Sequence, residues 1–209
     1  EAVEQAHKAQ LYIKSVLGTF ILGSFWLYDS LARLSLIGEV KKSEKKRLFK
    51  QVKNNQKMLQ TWAKHAPMNY SHKWMLVEAE LYRLKNKPHQ AEDYYEKAIN
   101  LAKEHSFIYE EALAYELAAL FYLSQAKTLI ARTYMSSAHY AYSSWGAIAK
   151  TKDLEIKYPD LITTNSSNQT IRSSEIASST TSIPLSTGTI QAMSMDLSSV
   201  KKASQSLSG

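Results

Sequence analysis

One pattern of small and large residues occurs twice in this sequence, and the second copy lies 40 residues after the first. Small residues at fixed positions let two helices approach closely, while a larger side chain fills the space beside them. The repeat therefore predicts paired helices whose contacts recur along the chain. The two copies are Ala79-x-x-Tyr82 with Ala91, Tyr95 and Ala98, and Ala119-x-x-Tyr122 with Ala131, Met135 and Ala138.

The hydrophobic periodicity predicts helices throughout residues 1–162. Two helices are predicted to meet at a break between Gly18 and Gly23, and a later helix is predicted to end at Pro67, with the next beginning near Ser71. Alternating apolar and polar runs bounded by turn dipeptides, which would indicate strands, do not occur. We therefore expect an all-α domain of stacked antiparallel helical hairpins over residues 1–162.

The composition changes sharply at the end of this region. All 13 Tyr, 5 Phe and 4 Trp precede residue 163. Residues 163–189 are rich in Ser and Thr and too polar to bury a core, which predicts a disordered linker. A short amphipathic helix is predicted in residues 190–209, where the apolar positions are Met193, Leu197, Val200 and Leu207.

Several classes of chemistry lack their residues in this chain. The sequence has no cysteine, which excludes thiol catalysis and Cys-ligated zinc. The metalloprotease HExxH, the phosphate-binding GxxxxGK[ST], the dinucleotide-binding GxGxxG and the nucleophile elbow GxSxG are also missing. Glu110, Glu111 and Glu116 are interpreted as a solvated helix face. We expect no catalytic residues, no cofactor and no metal in this chain.

The compartment is inferred from the same sequence. Absence of cysteine fits a reducing environment, and no signal peptide is visible, so we expect a cytoplasmic location. The longest uncharged stretch, Ser15–Tyr28, is shorter than the roughly 18–20 apolar residues that a transmembrane helix needs. We therefore expect no membrane span.

The net charge of +7 is concentrated in one basic cluster, Lys41–Lys53. Apolar Leu48, Phe49 and Val52 are interleaved with it, which favours an amphipathic helix whose basic face is simply solvated. Binding of nucleic acid or another anionic surface through this cluster is the alternative. The cluster consists of Lys41, Lys42, Lys45, Lys46, Arg47, Lys50 and Lys53.

The spacing of the repeat resembles the tetratricopeptide (TPR) signature, although the unit is longer than the usual roughly 34 residues. A plain helical bundle with alanine seams is the alternative. In a TPR-like α-solenoid the first helix of each repeat lines a concave binding face. An alternative for its leucines is packing against an adjacent hairpin. The partner-binding residues predicted on this face are Lys73, Leu76, Glu80, Arg83, Leu113, Glu116, Leu120 and Leu123.

The stretches AHYAYSSWGAIAK and DLSSVKKASQSLSG extend the likeness to a larger architecture. The chain resembles the TPR-like helical segment of multidomain sensor kinases, best known from cyanobacteria, in which a Ser/Thr-kinase-like domain and an AAA-type ATPase precede this segment and a GAF domain and a histidine kinase follow. The resemblance implies a non-catalytic interaction and relay fragment that ends where the GAF domain begins. Neighbouring domains or a peptide are the expected partners, and a free-standing adaptor is the alternative.

Overall fold

The computed structural model describes residues 4–5, 8 and 21–162. From residue 21 to residue 162 it contains seven α-helices and no strand, so the prediction of an all-helical fold is confirmed. The linker predicted at 163–189 and the helix predicted in 190–209 lie outside the described residues. The helices are α1 (Ile21–Ser35), α2 (Lys42–His65), α3 (Pro67–Leu84), α4 (Pro88–Glu104), α5 (Ile108–Ser124), α6 (Thr128–Trp145) and α7 (Ile148–Lys157), with a 3₁₀ turn at Leu36–Gly38.

The helices pack in successive pairs. α1 packs against α2, α3 against α4, and α5 against α6. The second helix of each pair also contacts the helix that follows it, so that α2 meets α3, α4 meets α5 and α6 meets α7. In addition α3 contacts both α1 and α5, which brings the first helices of the three pairs together.

The residues of the 40-residue repeat lie at these helix contacts. Ala79 in α3 and Ala119 in α5 occupy equivalent positions, and neither has any exposed surface. Tyr95 in α4 and the equivalent Met135 in α6 are also fully buried. Because an alanine at a crossing lets the two backbones approach, the larger side chain one turn away can fill the remaining space. The other buried alanines of the repeat are Ala91, Ala98, Ala131 and Ala138.

Four turns of one kind join the helices from α3 to α7, at intervals of 20 residues. In the first, the N–H of Lys87 donates to the carbonyl of Tyr82 at 3.0 Å, which is the hydrogen bond of a Schellman helix end. Each of the four turns contains one residue with positive φ. The residue after it is also the N-cap of the next helix, so the connections are short. The positive-φ residues are Asn86, Ser106, Ala126 and Gly146.

We expect Ala126→Gly to raise the free energy of unfolding by about 0.5–1 kcal/mol. A left-handed alanine costs about 1–2 kcal/mol, and the greater freedom of glycine in the unfolded chain offsets about 0.5–1 kcal/mol of the gain. The reciprocal change Gly146→Ala should lower stability, because φ there is 86° although the space around it is open. Urea unfolding measures both, and a less stable Ala126→Gly variant contradicts the expectation.

The predicted break between Gly18 and Gly23 is only partly within the described residues, where α1 begins at Ile21. Gly23 itself lies inside α1, where a Cβ atom would come within 2.5 Å of the Tyr70 ring. Glycine is therefore required for the close approach of α1 and α3. The helix after Pro67 was predicted to begin near Ser71. Pro67 is instead the first residue of α3, because its missing N–H and fixed φ suit the first turn of a helix.

Candidate functional site

A groove of about 640 Å³ lies between α1 and α5, with α6 and α7 at its side. We call it the α1–α5 groove. Its apolar wall is formed by Phe25 and Leu31 from α1 and by Leu113 and Leu117 from α5. Grooves with an apolar floor and a few polar groups are typical binding sites for ligands and helices. The complete lining is Gln5, Phe25, Tyr28, Asp29, Leu31, Ala32, Tyr109, Leu113, Glu116, Leu117, Tyr142 and Lys150.

The polar side of the groove is centred on Glu116. Its carboxylate accepts hydrogen bonds from the Tyr142 hydroxyl at 2.9 Å and from the Lys150 ammonium at 2.8 Å. Burial, together with the adjacent Glu116 charge, raises the pKa of Tyr142, which therefore stays protonated and donates. These bonds join α5, α6 and α7 and fix the wall of the groove.

Tyr28 leaves a polar group without a partner in the groove. Its hydroxyl is shielded from solvent and has no hydrogen-bond partner among the described residues, while its ring lies 5.9 Å from the ring of Tyr109. Burial above all raises the pKa of Tyr28 and keeps its proton in place. An unpaired buried donor costs about 1–3 kcal/mol, and the neighbouring Tyr109 side chain is the group that can reduce this cost.

A buried ion pair positions α1 at the base of the groove. The Nε atom of Arg33 donates to both carboxylate oxygens of Asp29, at 2.9 and 2.8 Å. Asn55 of α2 donates to the same carboxylate at 2.7 Å and to the Ser30 hydroxyl at 3.2 Å. Because all four residues are buried, this network ties α1 to α2 and fixes the position of Phe25 and Tyr28.

Of the eight predicted partner-binding residues, the structure places Leu113 and Glu116 in the groove. Leu120 and Leu123 are partly buried against the hydrophobic core of the helices. Arg83 is half-buried and paired with Glu80, whose other carboxylate oxygen accepts a hydrogen bond from Tyr95 of α4.

The remaining predicted residues, Lys73 and Leu76, are buried, as is Glu80. Lys73 forms an ion pair with Glu110 of α5 at 3.0 Å and lies over the ring of Phe107. Burial lowers the pKa of Lys73, and Glu110 opposes that effect. These three side chains are committed to contacts between helices, so the groove described here does not include them.

Sequence reasoning missed the contribution of α1 to the groove. Phe25, Tyr28 and Ala32 follow one another at intervals of three and four residues, which is the signal of one helix face. That signal does not reveal a partner about 80 residues away. Only the packing of the three first helices brings Tyr28 to Tyr109.

The basic cluster lies on α2 and the turn before it. Leu48 and Val52 are buried and Phe49 is half-buried, as an amphipathic helix requires. Arg47 pairs with Glu44 at 2.5 Å, whereas Lys41, Lys42, Lys46, Lys50 and Lys53 are exposed. Lys45 is half-buried.

No helix in the part of the chain that the structure describes is both long and apolar enough to cross a bilayer. Nor do the described residues contain a group of three or more His, Asp or Glu side chains placed to hold a metal ion.

Comparison with known proteins identifies one local similarity. Over 75 residues the chain is 39% identical to hybrid signal transduction histidine kinase G of Dictyostelium discoideum. The match covers 35% of this chain and 2% of that protein. No family model matches the sequence, and no solved structure matches it. A segment of this chain is therefore related to part of a signalling histidine kinase.

Proposed function

We propose that this chain is a non-catalytic interaction and relay segment of a multidomain signalling kinase. The observation that carries the proposal is the local similarity to hybrid signal transduction histidine kinase G. Because the chain spans 2% of that protein, what it supports for this chain is a place within a signalling polypeptide and not a catalytic step. The helical pairs and the α1–α5 groove supply the binding surface that such a segment needs.

The same proposal includes a TPR-like arrangement of the helices. Three features support it: the repeat with its buried alanines, the packing of α3 against both α1 and α5, and the turns at 20-residue intervals. The unit of 40 residues exceeds the usual roughly 34 by about 6, or about three residues per helix. That is nearly one additional helical turn in each helix.

The proposed occupant of the α1–α5 groove is an amphipathic helix from a neighbouring domain of the same polypeptide. Phe25, Leu113 and Leu117 offer an apolar surface for its hydrophobic face. Rigid walls favour binding, because α1 and α5 are held by hydrogen-bond networks and lose little freedom when a partner docks.

We expect Leu113→Glu to weaken binding of the adjoining domains by at least about tenfold, since it places a charge against an apolar partner. The measurement is titration calorimetry of the purified chain with the separately expressed polypeptide that flanks it in its gene. Leu129→Glu makes the same change at an exposed position outside the groove, and it should bind as the wild type does. Circular dichroism establishes that both variants are folded. Equal affinities of the two variants would eliminate the groove as the docking surface.

The genomic sequence on both sides of the reading frame tests the larger context. Kinase, ATPase and GAF motifs encoded beside this segment are the expected result. A reading frame with its own start and stop signals and none of these motifs would favour the free-standing adaptor instead.

A further inference from the structure

Six lysines form a continuous stripe along the exposed face of α2, beyond the cluster that the sequence singled out. They follow one another at intervals of three, four and seven residues, so they lie on one side of the helix. All six are exposed. From first to last the stripe is about 33 Å long, at 1.5 Å per residue. This α2 lysine stripe consists of Lys42, Lys46, Lys50, Lys53, Lys57 and Lys64.

The charge of the stripe is not balanced within the described part of the protein. The acidic residue of α2 is Glu44, and it pairs with Arg47. None of the described carboxylates forms an ion pair with a lysine of the stripe. Lysines three or four residues apart repel each other and weaken the helix. An extended anionic partner would remove that repulsion along the whole face.

A cavity of about 490 Å³ lies beside the middle of the stripe, between α2 and α3. Lys53 and Lys57 of the stripe line it together with Trp74. We call it the Trp74 cavity. The other residues of its lining are Asn54, Gln56, Gln60 and Glu78.

Gln56 of α2 joins the two helices beside the Trp74 cavity. Its side-chain nitrogen donates to the Trp74 carbonyl at 3.1 Å and to the Glu78 carboxylate at 2.8 Å. Both neighbours are acceptors, so the amide orientation is determined. These two hydrogen bonds connect α2 to α3 and fix the walls of the cavity.

These features define the chemistry of one ligand class. Trp74 supplies an aromatic side chain on which a base can stack, and Lys53 and Lys57 attract phosphate. A nucleotide provides a flat base and a phosphate one sugar away. The lysines on either side of the cavity extend the site along a chain of phosphates. In a duplex the base faces are stacked on one another, whereas a single strand leaves the bases free to enter the cavity.

We propose that the α2 lysine stripe and the Trp74 cavity bind single-stranded nucleic acid, with one base in the cavity and phosphates along the lysines. An acidic peptide would neutralise the lysines but has no use for the Trp74 ring. An anionic membrane would contact the stripe, but its flat surface could not enter the Trp74 cavity. The site shares no residue with the α1–α5 groove, so this function is independent of partner docking.

The test is fluorescence anisotropy of a labelled 12-nucleotide single strand with the full 209-residue chain at several salt concentrations. Trp74→Leu should lower the affinity by about tenfold, the scale of one lost base stack, and leave the salt dependence unchanged. Lys53→Gln combined with Lys57→Gln should also weaken binding. In addition it should make the slope of log K against log salt shallower by about 1.4, or 0.7 per phosphate contact.

Control variants distinguish a site from general charge. Lys87→Gln combined with Lys152→Gln removes two exposed lysines outside the stripe and should leave the salt slope unchanged. Trp74→Phe keeps an aromatic ring and should retain most of the affinity that Trp74→Leu loses. It also tests the site if the leucine variant does not fold.

Three outcomes would overturn the proposal. The first is no binding of the single strand at 50 mM salt. The second is equal affinity for a poly-glutamate peptide or for vesicles containing phosphatidylserine, which would indicate an unselective anionic surface. The third is binding that does not change in either Trp74 variant, because the cavity would then play no part.

Discussion

Asp29→Ala should lower the free energy of unfolding by about 3–5 kcal/mol. The substitution leaves the guanidinium of Arg33 buried without its counter-ion, and breaking a buried ion pair from one side typically costs this much. It also removes the acceptor for the Asn55 amide, which joins α2 to α1. Because a small helical domain has a total stability of about 5–15 kcal/mol, much of it would be lost. Urea unfolding followed by circular dichroism measures the change.

The matched control is Glu44→Ala, which breaks the ion pair between Glu44 and Arg47 on α2. Both side chains of that pair are exposed to solvent, so screening by water leaves little interaction to lose. Its unfolding midpoint should stay close to that of the wild type. If Asp29→Ala unfolds at the same urea concentration as Glu44→Ala, the network does not stabilise α1, and the α1 wall of the groove is not rigid.

The helical organisation could be predicted from the sequence because its signals are local. A buried alanine is required wherever two helices cross closely, and Ala79 and Ala119 mark the same crossing in successive hairpins. The turns likewise have short-range signals, such as Asn86 and Gly146, which tolerate positive φ. Ser106 and Ala126 also have positive φ, although serine and alanine do not favour it. Those two turns therefore follow from the packing of the helices.

The sequence did not predict the role of Gly23 or the start of α3. Gly23 lies inside α1 and leaves room for the ring of Tyr70, which is on another helix, so local periodicity contains no information about this contact. Pro67 satisfies the rule for a helix end and the rule for a helix start equally well, so the local signal leaves the start of α3 open.

The candidate site was predictable only in part for the same reason. Leu113 and Glu116 were placed on a first-helix face, and they line the groove. Lys73 was assigned to that face as well, from the register of the repeat, although lysine is seldom fully buried without a partner. Its counter-ion Glu110 is 37 residues away and on another helix. Such a pair permits a lysine to be buried, and only the assembled structure reveals it.

The buried groups around Lys73 also make stability depend on pH. His72 of α3 is 2% exposed and stacks on the ring of Phe107 at 4.4 Å. Its Nε2 atom lies 2.9 Å from the Lys73 ammonium, which has only donors, so Nε2 accepts and the ring proton is on Nδ1. Burial, followed by the charges of Lys73 and His105, lowers the pKa of His72 to about 3.

We expect the free energy of unfolding to fall by about 2 kcal/mol through His72 between pH 7 and pH 5. The unfolded chain binds a proton at His72 below about pH 6.5, whereas the folded chain resists protonation until about pH 3. The stability from neutral His72 is therefore complete above pH 6.5 and is lost as the pH falls from 6.5 towards 3. Urea unfolding at pH 7, 6 and 5 measures this dependence.

His72→Gln separates this effect from the titration of the carboxylates. Glutamine can still accept a hydrogen bond from Lys73 but binds no proton, so the variant should lose about 2 kcal/mol less than the wild type between pH 7 and pH 5. His65→Gln, at the exposed end of α2, should keep the full dependence. If the His72→Gln and wild-type curves run parallel, His72 titrates alike in the folded and unfolded chains, and its burial beside Lys73 does not lower its pKa.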